Sequence, residues 1–210
     1  MKGENKEIPE IVKHFGWESE RMIFKYREMN VDEAERIAEI DATYFIKNVW
    51  RMNQESGEYE LLEINWTEKE LPNGYEWHLQ HFKATIMNGG KAFGCFCGDT
   101  LVGYATLEGN VFGQKEKYVL LDQLFVSNEY RNKGIGRALF ALCEKQAVSF
   151  EAEKIYLCAG SSENTIAFYR KLGCKAAAEI DQKLFEEDPR DIQLEFELNN
   201  ISVSRTSLLI

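Results

Sequence analysis

Hydrophobic and polar positions divide the chain into strands of period two, helices of period 3.6 and turn-rich junctions. The longest apolar run, Tyr118-Val-Leu-Leu121 with Leu124-Phe-Val126, reads as a strand buried on both faces. A polar turn, Ser127 to Tyr130, follows it, and then Arg131-Asn132-Lys133-Gly134-Ile135-Gly136. Beyond that turn Ile135, Leu139, Leu142 and Phe150 recur at helical spacing. Met22 to Arg27 alternates as an edge strand. Asn30 followed by Glu33 forms a capping box for a helix with Ala34, Ile37 and Ala38 on its buried stripe.

The region 41–73 yields only a strand over Tyr59 to Trp66 and a turn at Leu71 to Gly74. Tyr75, Leu79, Phe82 and Ile86 mark the next helix, which Asn88-Gly-Gly90 ends. Lys91 to Cys97 and Leu101 to Glu108 read as two strands joined at Gly98-Asp99. After the Gly-rich turn and its helix come a short strand, Lys154 to Cys158, and a helix from Ser162 to Leu172 capped by Gly173. Asp191 to Leu198 alternates as a closing strand. The expected organisation is an N-terminal extension (1–21), a single domain (22–198) and a flexible tail (199–210).

A strand, a basic Gly-rich turn and a helix N-terminus together form a site for phosphate groups, because unpaired N–H groups and the helix dipole converge there. The P-loop pattern is absent. A dinucleotide-binding loop needs its first Gly close behind the strand and an acidic end to the next one. Here the turn from Val126 to Gly134 is too long, and the next strand ends in Ala159-Gly160. Gly134 and Gly136 are expected to admit a ligand close to the backbone.

Leu124-Phe-Val126, Tyr130-Arg131, Gly134-Ile-Gly136 and then Asn164-Thr-Ile-Ala-Phe-Tyr-Arg-Lys-Leu-Gly173 resemble the signature of the GNAT acyltransferase superfamily. Cys174 stands where that pattern usually has Phe. The resemblance is sharp from about Leu101 to Lys175 and diffuse before it. It implies a mixed α/β (α+β) fold, with a central, mostly antiparallel sheet of about seven strands and helices on both faces. It also implies that the strands at Tyr118–Val126 and Lys154–Cys158 splay to admit a pantetheine arm. Acetyl-CoA would be the co-substrate, without a metal, and an amine the acceptor.

The same resemblance implies roles for single residues. The main chain of Leu124, Phe125 and Val126 would pair with the pantetheine amides. Arg131, Asn132, Lys133, Gly134, Ile135, Gly136 and Arg137 would hold the diphosphate. Asn164, Phe168 and Lys171 would line the cofactor from the later helix. Tyr169 would stand beside the thioester sulfur as the acid; packing of the helix onto the sheet is its other reading.

Acyl transfer to an amine needs a base as well. An ammonium of pKa ~10.4 is about 0.1% neutral at pH 7. Asp122, costly to bury inside a strand unless paired or functional, is the candidate, with Glu108, Glu63 and Glu60 behind it. A structural Asp held by backbone N–H groups is the alternative for Asp122. His78 and His81, three apart, read as a solvated helix face rather than metal ligands.

Composition narrows the setting. The 210 residues carry 25 Lys+Arg against 35 Asp+Glu, a net charge of −10 that argues against nucleic acid as the main partner. Cations for a polyanionic cofactor must therefore be local, while the acidic remainder would steer a cationic substrate. No apolar run approaches the ~18 residues that span a membrane, and residues 1–20 lack a signal-peptide core. Five cysteines without paired spacing fit reduced thiols in a cytoplasm. The expected acceptor is a small-molecule amine. Acetylation of a protein lysine or N-terminus, and a non-catalytic acyl-CoA-binding module, are the alternatives. A homodimer is compatible with all three.

Overall fold

A computed structural model describes residues 22–198; the expected extension (1–21) and tail (199–210) lie outside the described residues. In chain order the elements are β1 (Phe24–Met29), a 3-10 helix (Val31–Glu39), β2 (Tyr44–Met52), β3 (Tyr59–Glu68), α1 (Tyr75–Met87), β4 (Lys91–Cys97), β5 (Thr100–Leu107) and β6 (Tyr118–Val126). There follow α2 (Ile135–Ser149), β7 (Lys154–Ala159), α3 (Glu163–Leu172), β8 (Lys175–Ala176), α4 (Gln182–Glu187) and β9 (Ile192–Glu197). Seven strands form one sheet in the order β1-β4-β5-β6-β7-β9-β8, and β2 and β3 form a separate ribbon. Every pairing in the large sheet is antiparallel except β6 with β7.

Helices cover both faces of this sheet. On one face α2 and α3 bury Ile135, Leu139, Phe140, Ile166 and Tyr169 against β4–β7 and β9. On the other, the 3-10 helix and α1 bury Ala34, Ile37, Leu79 and Phe82 against Tyr104 and Phe96. The Asn30 capping box is present, with Asp32 N–H donating to Asn30 Oδ1 (3.0 Å) and Asn30 N–H to Glu33 Oε2 (3.2 Å). Beyond that cap the chain winds as a 3-10 rather than an α-helix. Among the described residues no helix is long and apolar enough to cross a membrane.

Several sequence expectations need correction. β1 runs two residues later than Met22–Arg27, because Met22 and Ile23 are exposed and Met29 is buried against the sheet. β2, the short β8 and α4 were not anticipated, and β3 continues past Trp66 to Glu68. β6 is continuously buried over Tyr118–Leu121, and beyond that only Gln123 is buried. Its second half is partly open because it has no β7 beside it. The parallel ladder stops after Tyr118↔Lys154, Val119↔Ile155 and Leu120↔Tyr156, so the two strands diverge into a V.

At the closed end of that V sits Glu195 on β9, fully buried. Its carboxylate accepts from Tyr118 O–H (2.6 Å), Lys154 Nζ (3.0 Å) and Ala178 N–H (2.9 Å), tying β6, β7 and β9 together. Burial opposes the charge, yet these donors hold the pKa down at about 2. A carboxyl with a depressed folded pKa adds stability above its unfolded value of 4.5 and loses it as pH falls toward 2. That corresponds to roughly 3 kcal/mol at 1.36 kcal/mol per unit. Urea unfolding between pH 5 and 2.5 is expected to show this loss in the wild type. Glu195→Gln, less stable at neutral pH because the Tyr118, Lys154 and Ala178 donors lose their shared carboxylate, should show a flatter profile; equal slopes would refute the assignment.

Candidate active site

The chain leaves β6 through a tight polar turn. Tyr130 N–H donates to Ser127 O and Arg131 N–H to Asn128 O. Two left-handed residues follow, Asn132 (φ 62°) and Gly134 (φ 82°), which aim the backbone into α2. Ala138 N–H is the first to bond within the helix, to Gly134 O. Among the described residues, the N–H groups of residues 132–137 have no acceptor, and no side chain caps the helix. A nest of unpaired donors at a helix N-terminus fits an anion, and a diphosphate in particular.

Two residues of the turn have tasks other than the expected ones. The Arg131 guanidinium donates to the carbonyls of Val126 (3.0 Å), Thr43 (2.9 Å) and Ala42 (3.1 Å), and lies over the Tyr44 ring. That side chain buckles the turn to the segment before β2, so it is not the phosphate contact the sequence led us to expect. A Cβ on Gly136 would stand 3.1 Å from Phe168 Cζ and 3.6 Å from Leu124 Cδ2. The missing side chain therefore admits the Phe168 ring of α3, not a ligand. Ile135 is buried in the core, Lys133 is half-buried, and Arg137 and Lys171 are exposed.

Leu124, Phe125 and Val126 line the open half of β6. Their other edge is taken by β5, in the register Ala105↔Leu124, Tyr104↔Phe125 and Gly103↔Val126. The edge toward β7 has no strand beside it, which leaves main-chain groups for an extended ligand. Phe125 stacks on Tyr104 (5.8 Å, 27°) and meets His78 edge-on (4.9 Å), so its ring faces α1.

Across the V, Ser162 caps α3 through Thr165 N–H (3.2 Å), leaving Asn164 exposed on the first turn and without a capping task. Tyr169 is almost wholly buried, against Phe140 and Phe168. Its hydroxyl has no hydrogen-bond partner among the described residues. Burial pushes its pKa well up, so the phenol keeps its proton at neutral pH.

Asp122 lies on a β-bulge. Thr106 pairs with Gln123 and Leu107 with Leu121, so Asp122 is the extra residue, and the bulge re-aims its carboxylate. Asp122 Oδ1 stands 3.5 Å from His81 Nδ1, and Oδ2 accepts from Gln123 Nε2 (3.2 Å). The His81 ring stacks on Trp77 (3.6 Å between centroids) and stays part-exposed. Hydrogen bonding to Asp122 raises the His81 pKa, and burial together with Asp122 raises that of Glu108. His81 keeps part of the exposure that was expected of both, whereas His78 does not. His78 is buried, its Nε2–H donates to Pro72 O (2.7 Å), and its Nδ1 stands 3.1 Å from Gln123 Oε1. Spacing along α1 marks both residues but not what faces them, so the Asp122 partner of His81 and the burial of His78 are not legible in it. Beside the bulge a polar cleft opens between His81, Thr85, Asn88, Glu108 and Asn110. Glu60 and Glu63, the more distant candidates for a base, are instead exposed on β3, where they accept from Asn53 and Asn65.

Solved structures share this arrangement of strands and helices. Nourseothricin acetyltransferase is 17% identical, with a TM-score of 0.64 over 83% of this chain and 98% of that one. A protein from Bacillus anthracis str. Ames described as a streptothricin acetyltransferase, in complex with acetyl coenzyme A, is 15% identical, with a TM-score of 0.58 over 82% and 97%. The PaiA N-acetyltransferase of Thermoplasma acidophilum, in complex with coenzyme A, is 17% identical, with a TM-score of 0.55 over 84% and 99%. No curated protein matches the sequence. The acetyltransferase (GNAT) family model, however, matches residues 55–174, more than half of the length and including the turn, the V and α3, and the chain belongs to that family.

Proposed function

We propose that this acyl-CoA-dependent acetyltransferase moves the acetyl group of acetyl-CoA to a primary amine of a small cationic molecule, by direct attack in a ternary complex. The observation that supports the reading is the V between β6 and β7 with the unpaired N–H nest of residues 132–137 at α2; in this reading Tyr169 faces the thioester from α3, and Asp122 with His81 serves the amine. Lys133, Arg137 and Lys171 supply local positive charge, and Asn164 and Phe168 line the arm. Free cysteines throughout the described residues accord with a reducing cytoplasm.

In the reaction the amine nitrogen attacks the thioester carbon, the C–S bond breaks and the sulfur leaves as a thiolate. Tyr169 O–H gives its proton to that thiolate, and the phenolate, disfavoured by burial, regains one from solvent. The amine proton passes to His81, which Asp122 orients and makes more basic. Asp122, Glu108 and Glu187 gather negative charge around His81, which suits a cationic acceptor. The neighbours named for nourseothricin and streptothricin support a small-molecule acceptor.

A panel of amines assayed by free-thiol release tests this reading; no transfer to any small amine would overturn it. In that assay His81→Gln is expected to lower kcat about 10²-fold. His81 acts when neutral, so kcat/KM should rise with pH through its pKa. Asp122 raises that pKa, so Asp122→Asn should move the acid limb to lower pH. A limb that stays in place would remove His81 from the role.

A further inference from the structure

A continuous chain of polar side chains runs between the sheet and α1, with Gln123 at its centre. Gln123 is buried on β6, one residue past Asp122. The bulge at Asp122 turns both residues toward α1, where strict alternation would have sent one of them into the core beneath α2. Gln123 Oε1 accepts from Tyr104 O–H (2.7 Å). The His78 ring, with its proton on Nε2 toward Pro72 O, closes that side with Nδ1 at 3.1 Å. Burial keeps the Tyr104 phenol protonated, so its O–H is the donor of the pair and the amide oxygen the acceptor. That fixes the amide's orientation. Nε2 then faces two acceptors, the main-chain O of His78 and Asp122 Oδ2, both at 3.2 Å.

We propose that Gln123 is a positioning residue for acyl transfer: anchored by Tyr104 and by α1, its amide holds the Asp122 carboxylate against His81. The proposal rests on the reading of His81 and Asp122 as the pair that serves the amine. Asp122 Oδ1 stands 3.5 Å from His81 Nδ1, and among the described residues Oδ2 has Gln123 Nε2 as its donor. A neutral amide suits this task. A cation in its place would cancel the charge of Asp122, and an apolar side chain would let the carboxylate turn away into water. Gln supplies a donor without a charge, so the whole field of Asp122 acts on the ring. The charged and titratable groups around His81 are Asp122 on β6, Glu108 beyond β5, Glu187 at the end of α4 and His78 on α1. The hydrogen bond to Asp122 is the largest of these influences, so the direction of that carboxylate sets the basicity of the ring.

The test follows the His81 ring titration by NMR in the full chain without substrate, assigned by its loss in His81→Gln, beside profiles of kcat/KM against pH. Gln123→Met keeps the length of the side chain and loses both polar ends. It should move the His81 midpoint to lower pH, by roughly half the step that Asp122→Asn produces, and lower kcat about 10-fold with KM within a few-fold. On the Asp122→Asn background it should add no further step, because the group it positions is gone. Tyr104→Phe, which unties the far end of the amide, should move the midpoint the same way by less. A midpoint unmoved in Gln123→Met, or an equal step on the Asp122→Asn background, would overturn the proposal; a lower melting temperature alone would make Gln123 a packing residue. If Gln123→Met fails to fold, the Tyr104→Phe midpoint decides, and one that stays in place refutes it. Ring titration does not depend on turnover. A midpoint that moves while the acid limb of kcat/KM stays would therefore uphold the grip of Gln123 on Asp122 and overturn the role of His81 in the reaction.

Discussion

Replacing Tyr169 by Phe is expected to lower kcat by about 10²- to 10⁴-fold while coenzyme A affinity stays within a few-fold of wild type. The split follows from where the side chain lies. Its ring packs against Phe140 and Phe168, and Phe keeps those contacts. Only the hydroxyl is lost, and it bonds to nothing among the described residues, so no structural partner is orphaned. A leaving thiolate of pKa ~8.5 gains from a nearby proton, and a phenol held protonated by burial can deliver it. Steady-state rates beside a calorimetric titration separate the two effects. Unchanged turnover would reduce Tyr169 to a packing residue.

Gly134→Val is expected to weaken coenzyme A binding about 10²-fold or more. At φ 82° a β-branched side chain is strained, and relief requires the turn to rotate. Rotation would take neighbouring N–H groups off the diphosphate, and hydrogen bonds to a charged group are worth ~1.5–3 kcal/mol each. Loss of two therefore exceeds the ~1.4 kcal/mol per tenfold scale twice over. Gly136→Ala provides the contrast. Its new methyl group meets Phe168, so it should lower thermal stability more than cofactor affinity. Equal affinity loss in both variants would mean that the turn is merely a hinge.

Much of this was legible because local chemistry and tertiary context agree. The Asn30–Glu33 box, the Ser162 and Gly173 caps of α3, and the β4–β5 hairpin each follow from residues within a few positions of one another. The β6–turn–α2 junction was legible for the same reason. What stayed hidden depends on partners distant in sequence. Arg131 beside a Gly-rich turn reads as a ligand contact until the carbonyls of Ala42 and Thr43, from the other end of the domain, are seen to take its guanidinium.

His81 and Asp122 meet because a bulge turns one strand residue toward α1, and no periodicity records a bulge. β2 escaped notice because its ribbon is half-open on both faces, so neither clean alternation nor a solid apolar run marks it. The V itself is the absence of ladder bonds past Leu120↔Tyr156. Composition cannot show where pairing stops.

The central claim is that main-chain donors of residues 132–137 grip a diphosphate at the head of α2, beneath an open V. Calorimetric titration of the folded protein with coenzyme A and, in parallel, with pantetheine, which has the arm but no diphosphate, tests it most directly. The account predicts saturable heat with coenzyme A and at least ~100-fold weaker binding of pantetheine, the two-bond loss estimated for charged hydrogen bonds. Equal affinity for the two, or no heat with coenzyme A, would contradict it.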